Sequence, residues 1–262
     1  MTKEHINFLK KLKKEKITIK IVQIFIIILF LLLWEYLTHN NIISPFIYSS
    51  PSRIIKTIIE LINNNNFFIH IYTTLKEVII AFIIGNILGF FIAILLYEFK
   101  TLANITDPFL TMLNSLPKIA LGPLIIILFG SNIKSIIIMA LLINLIISII
   151  TIYNGFTNTP EYELKLFKTF NANKIQILTM LIIPNSYSNI ISSFKLSIAQ
   201  TLVGVIMGEF LVSKRGIGYL IVYGKQVFNL NYVMTGIILL AILSYILYKI
   251  VTILEKKLLK NR

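Results

Sequence analysis

The chain has 262 residues, 56% of them hydrophobic and 14% charged, against about 45–50% apolar and about 25% charged in soluble domains, so too little charge is present to cover a hydrated surface and the composition points to a polytopic membrane protein. Its net charge of +14 is no nucleic-acid signature, because the lysines collect in hydrophilic gaps and at both ends, where they fit membrane orientation. The absence of cysteine excludes a disulfide framework, a thiolate metal site and a thiol nucleophile.

The first residues place lysines ahead of an apolar run, as a signal peptide does. That run, Ile21 to Leu33, continues past Trp34 to Leu37 with no small-residue cleavage site behind it. Residues 1–16 are therefore expected to form a basic cytoplasmic N-terminus and about Ile17–Leu37 a retained first span, with Trp34 and Tyr36 as interfacial anchors. A polar loop leads to SPSRIIKTIIELINNNN, in which Ile54, Ile55, Ile58, Ile59 and Ile62 recur at helical spacing among Arg53, Lys56 and Glu60. Pro51 suits a first turn and Ser50 or Ser52 can cap it. This helix is too short and too charged to span, so it is expected along the membrane surface, ended by Asn63–Asn66.

A second span is expected at about Ile69–Phe99, with Gly85 and Gly89 in a small-xxx-small pattern that admits a neighbouring helix. The third, about Ala103–Gly130, contains Pro108, Pro117 and Pro123, which predict kinks. The fourth is about Ile133–Tyr153, the fifth Tyr187–Val212 and the sixth Tyr232–Leu254. Between the fifth and sixth, a glycine-rich stretch after Glu209 reads as a loop or re-entrant turn. Residues 17–257 thus form one all-α transmembrane domain, with 258–262 as a cytoplasmic tail.

Six spans put both ends on one face. On that face are seven Lys and Arg in residues 1–20, one at Lys100, three in 154–185 and five in 249–262, sixteen in all. The opposite loops hold six: Arg53, Lys56, Lys134, Lys214, Arg215 and Lys225. This bias places both termini in the cytoplasm, together with the segment between spans four and five.

Catalytic patterns are missing. No G-x-x-x-x-G-K-[ST] loop occurs; the nearest run, Gly218 to Gln226, has five residues between its glycines and a glutamine where magnesium needs a hydroxyl. H-E-x-x-H and G-x-S-x-G are absent, His5, His39 and His70 share no ligand spacing, and among the acids only Glu161 and Glu163 sit two apart. A membrane-bound enzyme has no site to offer, so energy for transport must come from an ion gradient or a partner. The ionisable groups in or near spans are Lys76, Glu77, Lys118, Lys195 and Glu209. Each costs about 2.5–3.5 kcal/mol to bury in a bilayer and must face protein or water. Lys76 and Lys195 suit a polar bond between helices or snorkelling. Glu209 suits gating or support of the following turn, or else a simple salt bridge.

Residues 163–184 read ELKLFKTFNANKIQILTMLIIP. Pro160 and Glu161 suit a helix start. Leu166, Phe167 and Phe170 cluster beside Lys165 and Lys168, Asn171 tolerates a left-handed turn, and a second helix from about Lys174 to Ile183 is expected to stop at Pro184. Such a helix–turn–helix can dock in a groove of another protein, pack on its own membrane domain, or lie on anionic lipid through Lys165 and Lys168.

The stretch resembles the cytoplasmic signature of permease subunits of binding-protein-dependent ABC importers, the Glu-Ala-Ala…Gly…Ile-Leu-Pro loop. Ile182-Ile183-Pro184 matches its close, Asn171-Ala172-Asn173 falls on its Gly-Ala-Ser turn and Lys165-Leu166-Phe167 on its Glu-Ala-Ala. Lys165, Leu166 and Phe167 depart from the pattern, as does Asn171 in place of glycine. Ser49–Arg53 resembles the opening of the family's interfacial helix. Thr74–Phe82 with Gly85 and Gly89 resembles its second span, and Asp107-Pro108, Ser115–Pro123 and Phe129-Gly130 its kinked third. Phe194-Lys195-Leu196 and Gly208-Glu209…Gly216–Leu220 resemble its fifth span and following loop. The likeness covers about residues 30–255 and is nearest to the nitrate, sulfonate, taurine and thiamine-pyrimidine branch. It implies a type I permease fold and a bacterial plasma-membrane location. It also implies a homodimeric or related paired pore, two ATPase subunits that hold ATP and magnesium, and an extracytoplasmic binding protein that delivers a small solute. No cofactor is implied on this chain. Lys165, Leu166, Phe167, Phe170, Asn171 and Ala172 become the expected ATPase-coupling residues, within a coupling segment 158–184. Pro117, Lys118, Pro123 and Glu209 become the translocation or gating candidates. The alternative is an ion-coupled secondary transporter or channel using Glu209 and Lys118 as mid-membrane groups.

Overall fold

The computed structural model describes residues 3–260, with side chains from 11 to 257; residues 1, 2, 261 and 262, and with them part of the expected tail 258–262, lie outside the described residues. The described chain is helical and contains no strand. Five of its helices are long and apolar enough to cross a membrane, and a bent helix pair makes a sixth crossing or a re-entrant loop. At 1.5 Å per residue, even a 25-residue helix runs about 38 Å, more than the roughly 30 Å hydrocarbon core.

The first helix, α1 (Lys3–His39), runs unbroken from the basic N-terminus through the first span. The polar loop expected next contains a short helix, α2 (Pro45–Tyr48). The surface helix α3 (Pro51–Asn63) starts with proline in its first turn, and Ser50, not Ser52, caps it by accepting from the Arg53 N–H. Ser52 is used differently. Its N–H and hydroxyl both donate to the Glu35 carboxylate of α1, at 2.9 and 2.7 Å. That places an anion at the N-terminus of α3, where the helix dipole favours it.

The core is built on three helices: α4 (Asn66–Glu98), α7 (Ile133–Thr157) and α11 (Tyr187–Val212). Small residues set their spacing. A Cβ on Gly85 would strike the Asn144 amide of α7, and one on Gly89 would meet Ser148, so the expected small-xxx-small contact is present, with α7 as the partner. Close approach also lets polar side chains bond across the interfaces. Asn86 on α4 accepts from Ser148 of α7 at 3.3 Å and from Ser197 of α11 at 3.0 Å, while its own amide donates to Phe82 O at 2.7 Å. Asn144 donates to Ala81 O at 3.3 Å. α13 (Leu230–Lys260) closes the bundle through Leu239, Leu243, Leu247 and Val251. Lys195 of α11 pairs with Glu255 of α13, the polar bond between helices foreseen for it. Lys76 is exposed.

Three expectations need correction. The third span does not kink at Pro108, which lies inside an unbroken α5 (Lys100–Ser115). The break falls at Leu116–Pro117, where the chain bends by 90° into a 3₁₀ turn (Lys118–Leu121) and α6 (Gly122–Phe129), and Pro123 occupies the tolerated first turn of α6. Pro184 does not stop the second cytoplasmic helix. That helix begins as α9 (Lys174–Ile177), widens into a π-helical turn over Leu178–Ile182 and continues through Pro184 in α10 (Ile183–Asn185). A proline ring crowds the carbonyl four residues back and offers no N–H, and the wider turn just ahead of Pro184 relieves both problems. Finally, the glycine-rich stretch after Glu209 is largely a helix, α12 (Ile217–Gln226), with Ile217, Gly218, Leu220 and Gly224 buried.

Candidate functional site

Two constellations stand at opposite ends of α11. Near its N-terminal end lies α8 (Glu161–Thr169), with Pro160 just ahead of it and two glutamates in its first turn. Its faces differ. Leu164 and Phe167 turn inward and pack on a buried cluster of Ala93, Ile152, Phe156, Leu181 and Ile182. Tyr162, Leu166 and Phe170 are 71, 52 and 76% exposed. Spaced four apart, these three share the outward stripe. Ile175, 71% exposed, adds to the outward apolar surface from α9.

The turn after α8 follows its sequence. Asn171 takes the left-handed conformation at φ 54°, and the Ala172 N–H donates back to Phe167 O at 3.1 Å. Asn173 and Gln176 then form a reciprocal capping box on α9, with both bonds at 2.8 Å. Glu163 ties the two arms together by accepting from the Asn185 amide of α10. Lys165 is exposed and pairs only loosely with Glu161, at 3.7 Å. Of the expected coupling residues, then, Leu166 and Phe170 face outward, Phe167 faces the protein, and Asn171 and Ala172 shape the turn. Tyr162 and Ile175 complete the outward surface. Tyr162 stands one turn before Leu166 in the sequence, but periodicity alone gives no reason to prefer it over Phe167.

At the other end of α11, Glu209 is 1% exposed and sits one turn from the helix end. No cation pairs with it among the described residues. Its carboxylate accepts from the Thr74 hydroxyl at 2.6 Å and from the Gly218 N–H at 2.5 Å. The Ile217 N–H donates to the same Thr74 hydroxyl at 2.8 Å, and the Gly216 N–H to His70 Nδ1 at 3.1 Å. Three side chains from α4 and α11 therefore organise the first turn of α12: His70, Thr74 and Glu209, with the buried Glu77 of α4 standing beside Glu209 and its Oε2 without a hydrogen-bond partner among the described residues. Gly216 is required here, because it holds φ +110° and a Cβ would fall on the Glu209 carboxylate. Support of the turn, one of the roles foreseen for Glu209, is what this geometry provides. Thr74 carried no sequence signal for it, since its bonds join residues 135 and 143 apart.

Pro117 and Pro123 are exposed at the bend. Lys118 donates within its own segment to Asn114 O at 2.8 Å. Glu209 faces α4 and α12, so Lys118 and Glu209 do not form one site.

Residues 85–260 match the family described as "Binding-protein-dependent transport system inner membrane component". The chain is 28% identical over 230 residues to the putative aliphatic sulfonates transport permease protein SsuC of Bacillus subtilis, covering 88% of this chain and 83% of that one. It is 25% identical to the formylaminopyrimidine transport permease protein ThiX of Halalkalibacterium halodurans over 73% of this chain and 76% of that protein. It is 19% identical to the taurine transport system permease protein TauC of Escherichia coli over 83 and 81%. Among solved structures, it shares its fold with a chain of the inward-facing MetNI methionine ABC transporter, at a TM-score of 0.65 and 16% identity, over 77% of this chain and 97% of that chain. With two thirds of its length inside that match, the chain belongs to the binding-protein-dependent transport system inner membrane component family.

Proposed function

We propose that this chain is the pore-forming permease subunit of an ATP-driven importer in the bacterial plasma membrane. It works as a pair of copies with two ATPase subunits and an extracytoplasmic solute-binding protein. ATP and magnesium belong to the ATPases, and both termini and α8 belong to the cytoplasm, on the sixteen-to-six distribution of Lys and Arg. The observation that carries the proposal is an outward apolar stripe on a helix fixed to the bundle, in a chain of this family.

The mechanism follows from how α8 is held. An ATPase groove that closes on Tyr162, Leu166 and Phe170 pulls on a helix whose other face is packed against α4 and α7 through Leu164 and Phe167. The Glu163–Asn185 bond carries the same displacement toward α11. ATP can shift the pore between states only if the ATP-bound ATPases bind one pore conformation better than the other. A helix anchored on its inner face transmits such a difference; a free loop does not.

The solute class to test first is a small sulfonate, because two relatives are named for aliphatic sulfonates and for taurine, itself a sulfonate. The test is reconstitution in proteoliposomes with the ATPase and the binding protein. ATP-dependent uptake that Phe170→Asp abolishes, with membrane insertion intact, supports the proposal. Uptake by this chain alone, driven by an ion gradient, overturns it.

A further inference from the structure

The turn organised by Glu209 also forms one wall of a cavity of about 370 Å³, bounded by the start of α4, the end of α3, α12 and the start of α13. It lies at the end of α11 opposite to α8. Asn66, His70, Lys214, Arg215, Tyr219 and Tyr223 line it. Lys214 and Arg215 are adjacent, exposed and without an ion-pair partner among the described residues. Their turn is rigid: the Arg215 N–H donates to the Ser213 hydroxyl at 3.1 Å, and the next residue, Gly216, is bonded to His70. Because His70 Nδ1 accepts from Gly216, a neutral ring carries its proton on Nε2 as a donor. The aromatic rings form a row, with His70 stacked on Tyr219 at 5.9 Å, Tyr219 on Tyr223 at 5.8 Å, and Tyr223 tilted against Tyr232 at 6.0 Å. The carboxylate of Glu60 stands near Tyr232.

Two unpaired cations on a fixed turn, beside a row of rings with hydroxyl groups, match a particular ligand chemistry. A guanidinium fork and an ammonium bind an oxyanion, and the ring faces bind the apolar body behind it. A volume of this size falls within the range of small-molecule sites. We propose that this cavity is a receiving site for a small organic oxyanion, a sulfonate or carboxylate with a short apolar body, with Lys214 and Arg215 holding its charged end and Tyr219 and Tyr223 its body. The inference takes its sulfonate class from the import reading but locates the site independently of it. Because the cations sit on the turn that Glu209 and Thr74 hold, occupancy acts directly on the α4–α11–α12 junction.

The test is calorimetric titration of the full chain in lipid nanodiscs with butanesulfonate, butanol and inorganic sulfate. Saturable binding of butanesulfonate is expected, none of butanol, and weaker binding of sulfate, which lacks the apolar body. The exposed pair variant K214Q/R215Q should keep the parent melting temperature and bind butanesulfonate about tenfold or more weakly. No saturable binding to the parent, or equal binding to the variant, overturns the site. So does a variant that loses only its affinity for the binding protein, since the cations then serve docking. ATP-driven sulfonate uptake unchanged in K214Q/R215Q sinks the site and leaves the import reading standing. Binding in the cavity without any ATP-driven uptake by the parent importer does the reverse.

Discussion

The two ends of α11 solve opposite problems. At the first turn of α12, polar groups from three helices bond one another, and Glu209 and Thr74 are essentially removed from solvent. At α8, large apolar side chains are left facing outward: Phe170 at 76% and Tyr162 at 71% exposed, on a helix whose inner face is packed. A buried, satisfied network costs a great deal to disturb and fixes one geometry. An exposed apolar stripe on a fixed helix is stable only when something else covers it. The contrast separates residues that hold the protein together from residues that couple it to a partner, and substitutions at the two ends should fail in different ways.

The largest effect is expected at α8. Phe170→Asp should reduce ATP-dependent uptake by about tenfold or more, the scale of a central contact residue, while melting temperature and membrane insertion stay at parent values. Phe167→Asp should lower uptake and stability together, because that ring packs on the inner cluster. If the two variants behave alike in thermal unfolding, the division of faces on α8 is wrong.

At the first turn of α12 the order reverses. Glu209→Ala should cost about 2–4 kcal/mol, since it strips partners from the buried Thr74 hydroxyl and Gly218 N–H; thermal unfolding in detergent measures it. Glu77→Gln should be well tolerated, because Glu77 Oε2 has no hydrogen-bond partner to lose among the described residues and a neutral amide of the same shape fits beside the Glu209 carboxylate. A larger loss for Glu77→Gln than for Glu209→Ala would break the network as drawn. A smaller cost, about 1–3 kcal/mol, is expected for Gly85→Ala, where the new methyl group meets Asn144 across the α4–α7 contact. The least effect belongs to Lys165→Ala. Its pairing with Glu161 is solvent-exposed at 3.7 Å, so stability should not change measurably.

Much of this was legible in the sequence because hydropathy and charge act locally. The fifth span is Tyr187–Val212 in both readings, and the fourth begins at Ile133 as expected, ending four residues later. The left-handed turn at Asn171 was also readable, from the tolerance of asparagine for positive φ. What escaped were features fixed at a distance. Gly216-Ile-Gly-Tyr reads as a loop, and it becomes the first turn of α12 only because Glu209, Thr74 and His70 supply partners for its N–H groups. The inward turn of Phe167 depends on Phe156 and Ile152, residues of another helix. Pro108 and Pro117 are equally strong as local signals, yet only the second breaks its span.

The central claim is that the outward stripe of α8 is covered by an ATPase subunit. The absence of cysteine makes the direct test clean. A single cysteine at Leu166, and as a control one at Lys225 on the opposite face, is labelled with a membrane-impermeant maleimide in nanodiscs with and without the ATPase. Protection of the Leu166 position by the ATPase, with labelling at Lys225 unchanged, is the predicted result. Equal labelling at Leu166 in the presence of ATPase that demonstrably co-purifies with the chain would contradict it.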